Sequence, residues 1–506
     1  MQVLRDVLFA NPALAPAREA LADGEVRLSY GDLQRRVCQA GNALIEAGIG
    51  HGDRVAVLLE NCHEFVELFY AVTGIGAIFV PLNYRLSAEE HAAILGDAGP
   101  SLLISTPRYR ANIEQIITEI GSLRDVVLVR GDGGSDVEGT DYEAWLAAAG
   151  DAPLQAPLEP EDTATLLYTS GTTSLPKGVM LSHRNYLADY ANITEVLGIG
   201  PDVVNLQISP LYHAAAQHTF VQVWGGGRTV LLPKFDPGHV LALIEEERIN
   251  YFFVVPTMLY NILDHPDFHR FDTSTVQLVS YGAAPMTEAR RQDAIDKFGH
   301  VFVHAYGLTE CTAHASILGR ADHPRYGASI GRGLPGSEVI IVNAQGEPVP
   351  PGGTGEIWVR GGQVMTGYWN RPEASAETLA GGWLHTGDVG TWDDDGFVQV
   401  IDRKKDIIIS GGANIFPKDV EEVLARHPSV AEVAVYGVPD DNWGEAVQAA
   451  VVLKRERDAE PEELIAFARN HLAHFKAPRH VRFLPALPRN PSGKILKRAL
   501  RADPGA

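Results

Sequence analysis

Residues 165–183 read TLLYTSGTTSLPKGVMLSH, an apolar strand followed by a loop dense in glycine and hydroxyl groups and then by Lys177. Backbone amides near Gly171 can donate hydrogen bonds to phosphate oxygens, and Lys177 supplies a positive charge. The side chains that add hydroxyl donors are those of Thr169, Ser170, Thr172 and Thr173. The stretch therefore predicts a phosphate-binding loop, with a polar surface turn as the simpler alternative.

This loop differs from a Walker motif. The Walker motif requires glycine directly before the lysine and Ser or Thr directly after it, whereas Pro176 and Gly178 occupy those places here. We therefore expect a phosphate-binding loop of another type.

Around the loop, short β-branched runs alternate with helix-like stretches, which is typical of parallel sheets covered by helices. The runs are 54–59, 101–105, 125–129, 229–232 and 251–255. From Ser337 onward, glycine-punctuated segments such as GEIWVRG indicate the antiparallel hairpins of a smaller β-rich unit. A basic RKKD segment and a compact βαβ-like tail come after Asp402. We expect an N-terminal domain at 1–402, a hinge at 403–405 and a C-terminal domain at 406–506.

Composition excludes several functional classes. The 506 residues are 45% hydrophobic, which is enough for more than one core. The formal charge of −22 argues against binding of nucleic acid or anionic membranes, because both need clustered positive charge. Three isolated cysteines favour neither a disulfide framework nor a zinc cluster, and they indicate the cytoplasm. No export signal is expected, and the most hydrophobic stretch, 65–82, predicts a buried helix, a turn and a strand and not a transmembrane helix.

HAYGLTE, residues 304–310, clusters an aromatic ring, a hydroxyl and a carboxylate after a predicted strand. Tyr306 can stack on adenine, Thr309 can donate to an α-phosphate, and Glu310 offers an oxygen ligand to Mg²⁺. Alone the motif is weak, because an acidic residue after a turn is usually only solvated. Its significance depends on the other segments.

Two later segments add polar groups that suit a nucleotide. In GWLHTGDVG (382–390), Asp388 can accept both ribose hydroxyls, and in the segment 401–421 Arg403 can bridge ribose and phosphate. A turn-capping aspartate and a surface charge are the alternatives. The tail segment PRNPSGKILKRAL (488–500) presents Lys494 after a Pro-Ser-Gly turn, where a solvated basic helix is the alternative.

Taken together and in this order, these segments resemble the adenylate-forming superfamily of acyl-CoA synthetases, peptide synthetase adenylation domains and beetle luciferases, and most of all a bacterial acyl-CoA ligase. The resemblance covers essentially the whole chain and includes 53–83 and 355–373. It implies an α/β fold with a large N-terminal domain of two helix-covered sheets, a small β-rich subdomain and a small mobile α+β C-terminal domain.

The resemblance also implies a role for each motif residue. Residues Thr169 to Thr173 and Lys177 become the phosphate loop, and Glu310 becomes the Mg²⁺ ligand. The adenine slot is formed by Gly282, Ala283, Ala284 and Tyr306, and the ribose contacts are Asp388 and Arg403. Lys405 is the interdomain hinge, Lys494 reaches the carboxylate and the α-phosphate, and Gly412 lines the channel for the pantetheine thiol.

The implied reaction has two steps. A carboxylate attacks the α-phosphorus of ATP and expels pyrophosphate, and a thiol then attacks the carbonyl of the acyl-adenylate and releases AMP. ATP, Mg²⁺ and coenzyme A are the expected cofactors. Two positions depart from the family pattern, Ser174 where the loop usually has glycine and Ala413 where many acyl-CoA ligases have glutamate.

SPLYHAAAQH, residues 209–218, falls where the family places one wall of the acyl pocket, with His213 at its gate and the small Ala214 beside it. A satisfied core histidine is the alternative for His213. Val255 and Gly282 are expected on the opposing wall. No acidic residue stands out to pair with an ammonium group, which favours an apolar acid of the fatty, aryl or terpenoid class.

Other functions stay open at this point. The acceptor thiol could instead belong to an acyl carrier protein, and a homodimer is one assembly that the resemblance allows. A dinucleotide oxidoreductase is suggested by GIGAIF at 74–79, but the third glycine and the ribose-binding acid are missing. A non-catalytic relative is disfavoured, because the candidate ATP-site residues are all retained.

Overall fold

The computed structural model describes residues 1–130, 139–169, 176–284, 286–410, 413–440, 443–455, 457–489 and 495–502, except for the side chain of Asn414. These residues form two compact units. Unit 1 contains 1–169, 176–339 and 359–384, and unit 2 contains 340–358 and the described residues from 385 onward.

The α-helices, in chain order, are α1 (Leu4–Phe9), α2 (Tyr30–Glu46), α3 (His63–Gly74), α4 (Ala88–Ala98), α5 (Arg110–Glu119), α6 (Tyr142–Ala148), α7 (His183–Leu197), α8 (Gln217–Gly225), α9 (Pro237–Glu246), α10 (Pro256–Leu263), α11 (Glu288–Phe298), α12 (His323–Tyr326), α13 (Pro372–Thr378), α14 (Pro417–Leu424), α15 (Pro461–His471) and α16 (Lys497–Ala502).

The strands are β1 (Glu19–Asp23), β2 (Val26–Ser29), β3 (Arg54–Leu58), β4 (Ile78–Pro81), β5 (Leu102–Ser105), β6 (Asp125–Leu128), β7 (Thr140–Asp141), β8 (Thr163–Thr169), β9 (Lys177–Ser182), β10 (Val204–Gln207), β11 (Arg228–Leu231), β12 (Tyr251–Val254), β13 (Leu278–Gly282), β14 (Phe302–Tyr306), β15 (Ser316–Leu318), β16 (Arg332–Gly333), β17 (Ser337–Val342), β18 (Thr354–Gly361), β19 (Gly367–Tyr368), β20 (Leu384–Trp392), β21 (Val398–Arg403), β22 (Ile408–Ser410), β23 (Ala413–Ile415), β24 (Val430–Asp440), β25 (Gly444–Leu453) and β26 (His480–Phe483).

Two large sheets organise unit 1. The first has the strand order β16-β15-β14-β13-β12-β10-β11-β1-β2, and the second has the order β19-β9-β8-β4-β3-β5-β6-β7. Strands β14 to β1 of the first sheet and β8 to β7 of the second run parallel, as the alternation of strand and helix patterns predicts. The remaining strands pair antiparallel, namely β2, β15 and β16 in the first sheet and β9 and β19 in the second. The predicted α/β fold with two helix-covered sheets is confirmed.

Strands β17-β18-β20-β21 form the sheet predicted from Ser337 onward. In unit 2, the tail forms a further sheet of order β23-β22-β25-β24, with β26 paired to β25. Helices α14 and α15 contribute Val420, Leu424 and Leu464 to its core. This α+β architecture agrees with the expectation for the C-terminal region.

Side-chain caps place two of the helices of unit 1. Ser29 and Asp32 exchange hydrogen bonds with each other's backbone N–H at the start of α2, and Ser182 and Asn185 do the same at the start of α7. The cap at Ser182 turns the chain directly from β9 into α7. Helix α7 therefore begins immediately after the strand that starts at Lys177.

Residues 65–82 form the buried helix, turn and strand that were predicted. Every residue of α3 is buried, and the Phe69 ring stacks on that of Phe220 in α8 with centroids 3.8 Å apart. Strand β4 follows after the turn at Ile75–Ala77 and is buried along its length. None of the described helices is long and apolar enough to cross a membrane.

Candidate active site

The predicted phosphate loop connects two antiparallel strands. Thr169 ends β8 and pairs in register with Lys177, the first residue of β9. The backbone hydrogen bonds of this hairpin hold both ends of the loop together. Ser170, Gly171, Thr172, Thr173 and the variant position Ser174 lie outside the described residues.

Glu310 lies in a tight turn that the sequence fixes at two positions. A Cβ atom on Gly307 would lie 1.8 Å from the carbonyl oxygen of Ala313, so only glycine fits there. Thr312 adopts a left-handed conformation with φ of 63°, and its hydroxyl donates to the carbonyl of Gln363 at 2.7 Å. Thr309 and Glu310 occupy the 3₁₀ turn between these two residues.

Lys177 and Glu310 both contact Tyr368. The Tyr368 hydroxyl donates to Oε1 of Glu310 at 2.8 Å, and Nζ of Lys177 lies 4.6 Å from the centroid of the Tyr368 ring. The structure thus brings the predicted Mg²⁺ ligand and the predicted phosphate lysine to one side chain. Tyr368 was not among the predicted site residues, although the segment 355–373 that carries the family resemblance contains it.

The predicted adenine slot lies at the carboxyl ends of two parallel strands. Gly282 ends β13 and pairs with Ala305, and Tyr306 ends β14. A Cβ on Gly282 would lie 2.4 Å from the Ala305 carbonyl oxygen and 3.5 Å from Cε2 of Phe253. Ala283 and Ala284 are exposed, and Ala283 has a φ of 66°. The exposed Ala283 and Ala284 leave this edge accessible to a planar base, and ligands of open α/β sheets bind at such carboxyl ends.

The residues predicted for the acyl pocket lie on separate elements of unit 1. His213 precedes a 3₁₀ turn that begins at Ala214, and Val255 stands directly before α10. The Nε2 atom of His213 is buried and has no hydrogen-bond partner among the described residues. Burial, reinforced by the charge of Arg85, lowers the pKa of His213 to about 4, so the ring is neutral at pH 7.

A buried network beside Gly282 was not predicted. The Phe253 ring stacks on that of His218 with centroids 4.4 Å apart and an interplanar angle of 13°. The hydroxyl of Tyr251 contacts Nδ1 of His218, and the His314 ring meets the edge of His218 at 5.1 Å. His314 in turn places Nδ1 3.0 Å from Oδ1 of Asp189. His218 stood in the quoted segment 209–218, but its partners come from strands and loops far away in the sequence.

Burial sets the protonation states of the groups in this network. It lowers the pKa of His218 and raises the pKa of Tyr251, so both groups are neutral at pH 7. The bond between the Tyr251 hydroxyl and Nδ1 of His218 is therefore one between two neutral groups, and the ring nitrogen of His218 that carries the proton sets which group donates. Burial also raises the pKa of Asp189, an effect that the adjacent His314 opposes.

Unit 2 holds the two predicted ribose residues as a pair. Asp388 of β20 and Arg403 of β21 are cross-strand partners, with Nε of Arg403 2.8 Å from Oδ1 of Asp388. Asp388 is only 3% exposed, which is unusual for a turn-capping aspartate. Lys405 lies in the turn that follows. Partial burial of its amino group and the charge of Arg403 lower the pKa of Lys405. The hinge role of Lys405 stays a prediction.

The remaining predicted residues of unit 2, Gly412 and Lys494, lie outside the described residues. The variant position Ala413 begins β23.

A cluster of candidate metal ligands away from this site contains an arginine. Ligand atoms of Asp23, His63 and Glu64 lie within 4.8 Å of one another. Nε of Arg130 is 2.8 Å from Oε1 of Glu64, and the same guanidinium contacts Asp23. The guanidinium supplies the positive charge that a metal would bring, so this cluster is a buried ion network.

Comparison with known proteins identifies the family. Residues 8–369 match the model for the AMP-binding enzyme, and 419–494 match that for the AMP-binding enzyme C-terminal domain. A feruloyl-CoA synthase from an Amycolatopsis species is 40% identical over 96% of both chains. An indoleacetate–CoA ligase from Aromatoleum aromaticum is 36% identical over 98% of this chain and 97% of its own. The ATP-bound RpMatB-BxBclM chimera B3 has a TM-score of 0.91 and 31% identity, with 99% of each chain covered. These similarities confirm the predicted resemblance and reaction class.

Proposed function

Because this chain belongs to the family of AMP-binding enzymes, we propose that the acid it activates with ATP and transfers to coenzyme A is an aromatic carboxylic acid. The chain is an AMP-forming acid–thiol ligase, with ATP, Mg²⁺ and coenzyme A as its cofactors. The observation that carries the aromatic class is the stack of Phe253 on His218, because it presents a flat ring 3.5 Å from the Cβ position of Gly282. Aromatic pairs of this kind contribute about 0.5–1.5 kcal/mol beyond area burial.

The residues of unit 1 suit the first half-reaction. Lys177 brings a positive charge and Thr309 a hydroxyl donor toward a nucleotide phosphate. Tyr306 offers a ring for adenine, and Gly282 allows the close approach of β13 and β14 beside it. Mg²⁺, when bound through the Glu310 carboxylate, offsets negative charge on the phosphates. The neutral His213 adds no charge beside the reacting carboxylate. A carboxylate oxygen of the substrate acid then attacks the α-phosphorus of ATP and displaces pyrophosphate.

The residues of unit 2 complete the proposal. Asp388 would accept the ribose hydroxyls, and Arg403, whose Nε contacts Oδ1 of Asp388, would hold the carboxylate in position. Lys494 would neutralise charge on the α-phosphate, and the thiol would later approach along Gly412. The division at 1–402, 403–405 and 406–506, with rotation about Lys405, belongs to the same proposal. The proposal also includes a homodimer and a cytoplasmic location. The cytoplasmic location is supported by three free, buried cysteines.

The acid class is tested by acid-dependent pyrophosphate exchange with hydroxycinnamic, indole and straight-chain fatty acids. We expect kcat/KM at least about tenfold higher for the aromatic acids, and Phe253→Leu should lower that preference about 2- to 10-fold. Phe252→Leu is the matched control, because its side chain lies in the apolar core and should leave the preference unchanged. A preference for fatty acids, or equal effects of the two variants, would reject an aromatic pocket at Phe253.

The acceptor is tested on the same preparation. Thioester formation with coenzyme A alone is expected at a rate comparable to that of adenylation. An enzyme that exchanges pyrophosphate but forms thioester only when a carrier protein is added would establish the alternative acceptor.

A further inference from the structure

Tyr368 lies between two opposite charges that the reaction needs separately. Its hydroxyl donates to Glu310, and its ring face receives the ammonium of Lys177. Lys177 and Glu310 thus share Tyr368 as a common contact. A direct pair would neutralise the cation meant for phosphate and the anion meant for Mg²⁺.

The position of the Tyr368 ring is fixed by contacts other than those with Lys177 and Glu310. Its backbone pairs with Val179 in β9, and its N–H donates to Oγ of Ser375 at 2.8 Å. The strand that carries it is attached to the Glu310 turn, because the Met365 N–H donates to the Glu310 carbonyl at 2.9 Å. Tyr368 is only 6% exposed. The phenol is therefore presented to Glu310 by a rigid backbone.

We propose that Tyr368 is a positioning residue of the ATP–Mg²⁺ site, which holds Glu310 in place for the metal and keeps Lys177 apart from it. Oε1 of Glu310 accepts from the hydroxyl, which would leave Oε2 to hold Mg²⁺. Hydrogen-bonded partners of metal-ligating carboxylates orient them, and their loss costs about 10- to 100-fold in metal affinity. The ring face holds Lys177 by a cation–π contact that does not consume its hydrogen-bond donors.

This inference rests on the proposed roles of Glu310 and Lys177 in ATP binding. Two substitutions separate the functions of the phenol. Tyr368→Phe keeps the ring for Lys177 and removes the hydroxyl from Glu310, whereas Tyr368→Leu removes both. Tyr260→Phe is the matched control, because Tyr260 also has a cation above its ring, that of Arg290 at 4.8 Å, and takes no part in this site.

The measurement is calorimetric titration of ATP into the full-length enzyme, in EDTA and across a Mg²⁺ series, without acid or coenzyme A. For Tyr368→Phe we expect ATP affinity in EDTA within about twofold of wild type and a Mg²⁺ midpoint raised about 10-fold or more. For Tyr368→Leu both affinities should fall. Circular dichroism and thermal melting check that each variant is folded.

A double-variant cycle identifies the route of the effect. On a Glu310→Gln background, Tyr368→Phe should produce no further change in the Mg²⁺ midpoint, because the carboxylate it orients is gone. An unchanged midpoint in Tyr368→Phe, or additive effects of the two substitutions, would overturn the proposal. Since no acid is present, a wrong assignment of the acid class would leave this result unaffected.

Discussion

The two faces of β12 carry neighbouring phenylalanines with different surroundings. Phe252 is fully buried and packs with Val254 and Val279 in an apolar cluster under α9, α10 and α11. Phe253 points the opposite way, is half-buried, and stacks on His218. Side chains alternate along a strand, so one four-residue segment serves the core and the candidate pocket at once.

The second face buries polar groups beside Phe253, one of which has no hydrogen-bond partner in the described part of the chain. Tyr251 bonds to His218 there, and the hydroxyl of Ser280 is buried without a hydrogen-bond partner among the described residues. Polar groups buried in this way reduce stability unless they are paired. We therefore expect stability to come mainly from the face of Phe252, because the face of Phe253 carries a buried hydroxyl without a described partner beside the candidate pocket.

The largest expected effect is on the apolar face. Phe252→Ala should lower the free energy of unfolding by about 3–5 kcal/mol, because it removes a fully buried ring from a packed core. The pyrophosphate exchange rate per folded molecule should be retained. Urea denaturation measures the loss, with Phe253→Ala as the matched variant; a larger loss for the half-buried Phe253 would contradict the comparison.

A middle-sized effect is expected from the pair of Asp189 and His314. Asp189→Asn preserves shape and removes the charge, so the hydrogen bond to His314 becomes a neutral one. We expect a loss of about 2 kcal/mol in the free energy of unfolding and, unlike for Phe252→Ala, a raised KM for the acid. The two readouts are urea denaturation and pyrophosphate exchange. A changed stability with an unchanged KM would show that the network is purely structural.

The smallest effect concerns pH and two histidines, His213 of the predicted acyl pocket and His323, which contacts Tyr281 of the apolar cluster. Burial with nearby arginines lowers the pKa of both His213 and His323 to about 4, against about 6.5 in the unfolded chain. A lowered pKa gives stability that is complete above pH 6.5 and is lost as the pH falls toward 4. Each ring contributes up to about 1.4 kcal/mol per pH unit in this window.

Replacing either ring should therefore reduce acid sensitivity. His213→Gln and His323→Gln should each make the loss of unfolding free energy between pH 7.5 and 5.5 smaller by about 1 kcal/mol. At pH 7.5 only His213→Gln should alter the KM for the acid. Denaturation at the two pH values checks the first statement, and equal losses in all three proteins would refute it.

Local patterns predicted the strands and most elements that carry the candidate site. The run 54–59 corresponds to β3 (Arg54–Leu58), and the hairpin that pairs Asp388 with Arg403 lies where glycine punctuation indicated one. Such features depend on a few adjacent residues. Strands and hairpins of this kind can therefore be predicted from the sequence.

Contacts between distant segments could not be predicted in this way. Tyr368 meets Glu310 across 58 residues, and His314 meets Asp189 across 125. A phenol or a histidine in a strand pattern is also typical of an ordinary core. Only the packing of two sheets and the turn at Thr312 decides which of these side chains reach one another.

Two long-range hydrogen bonds of Asn185 bear on the order in which the chain folds. Besides capping α7, its side-chain amide donates to the carbonyls of Gly362 and Val364, at 2.8 and 2.7 Å and 177 to 179 residues away. Contacts of such long range form slowly, because a long loop must be closed before they contribute. We therefore expect the segment that presents Tyr368 to Glu310 to dock after the local strand and helix pairs have formed. In a newly made chain, most of the core would then be complete before Tyr368 reaches Glu310.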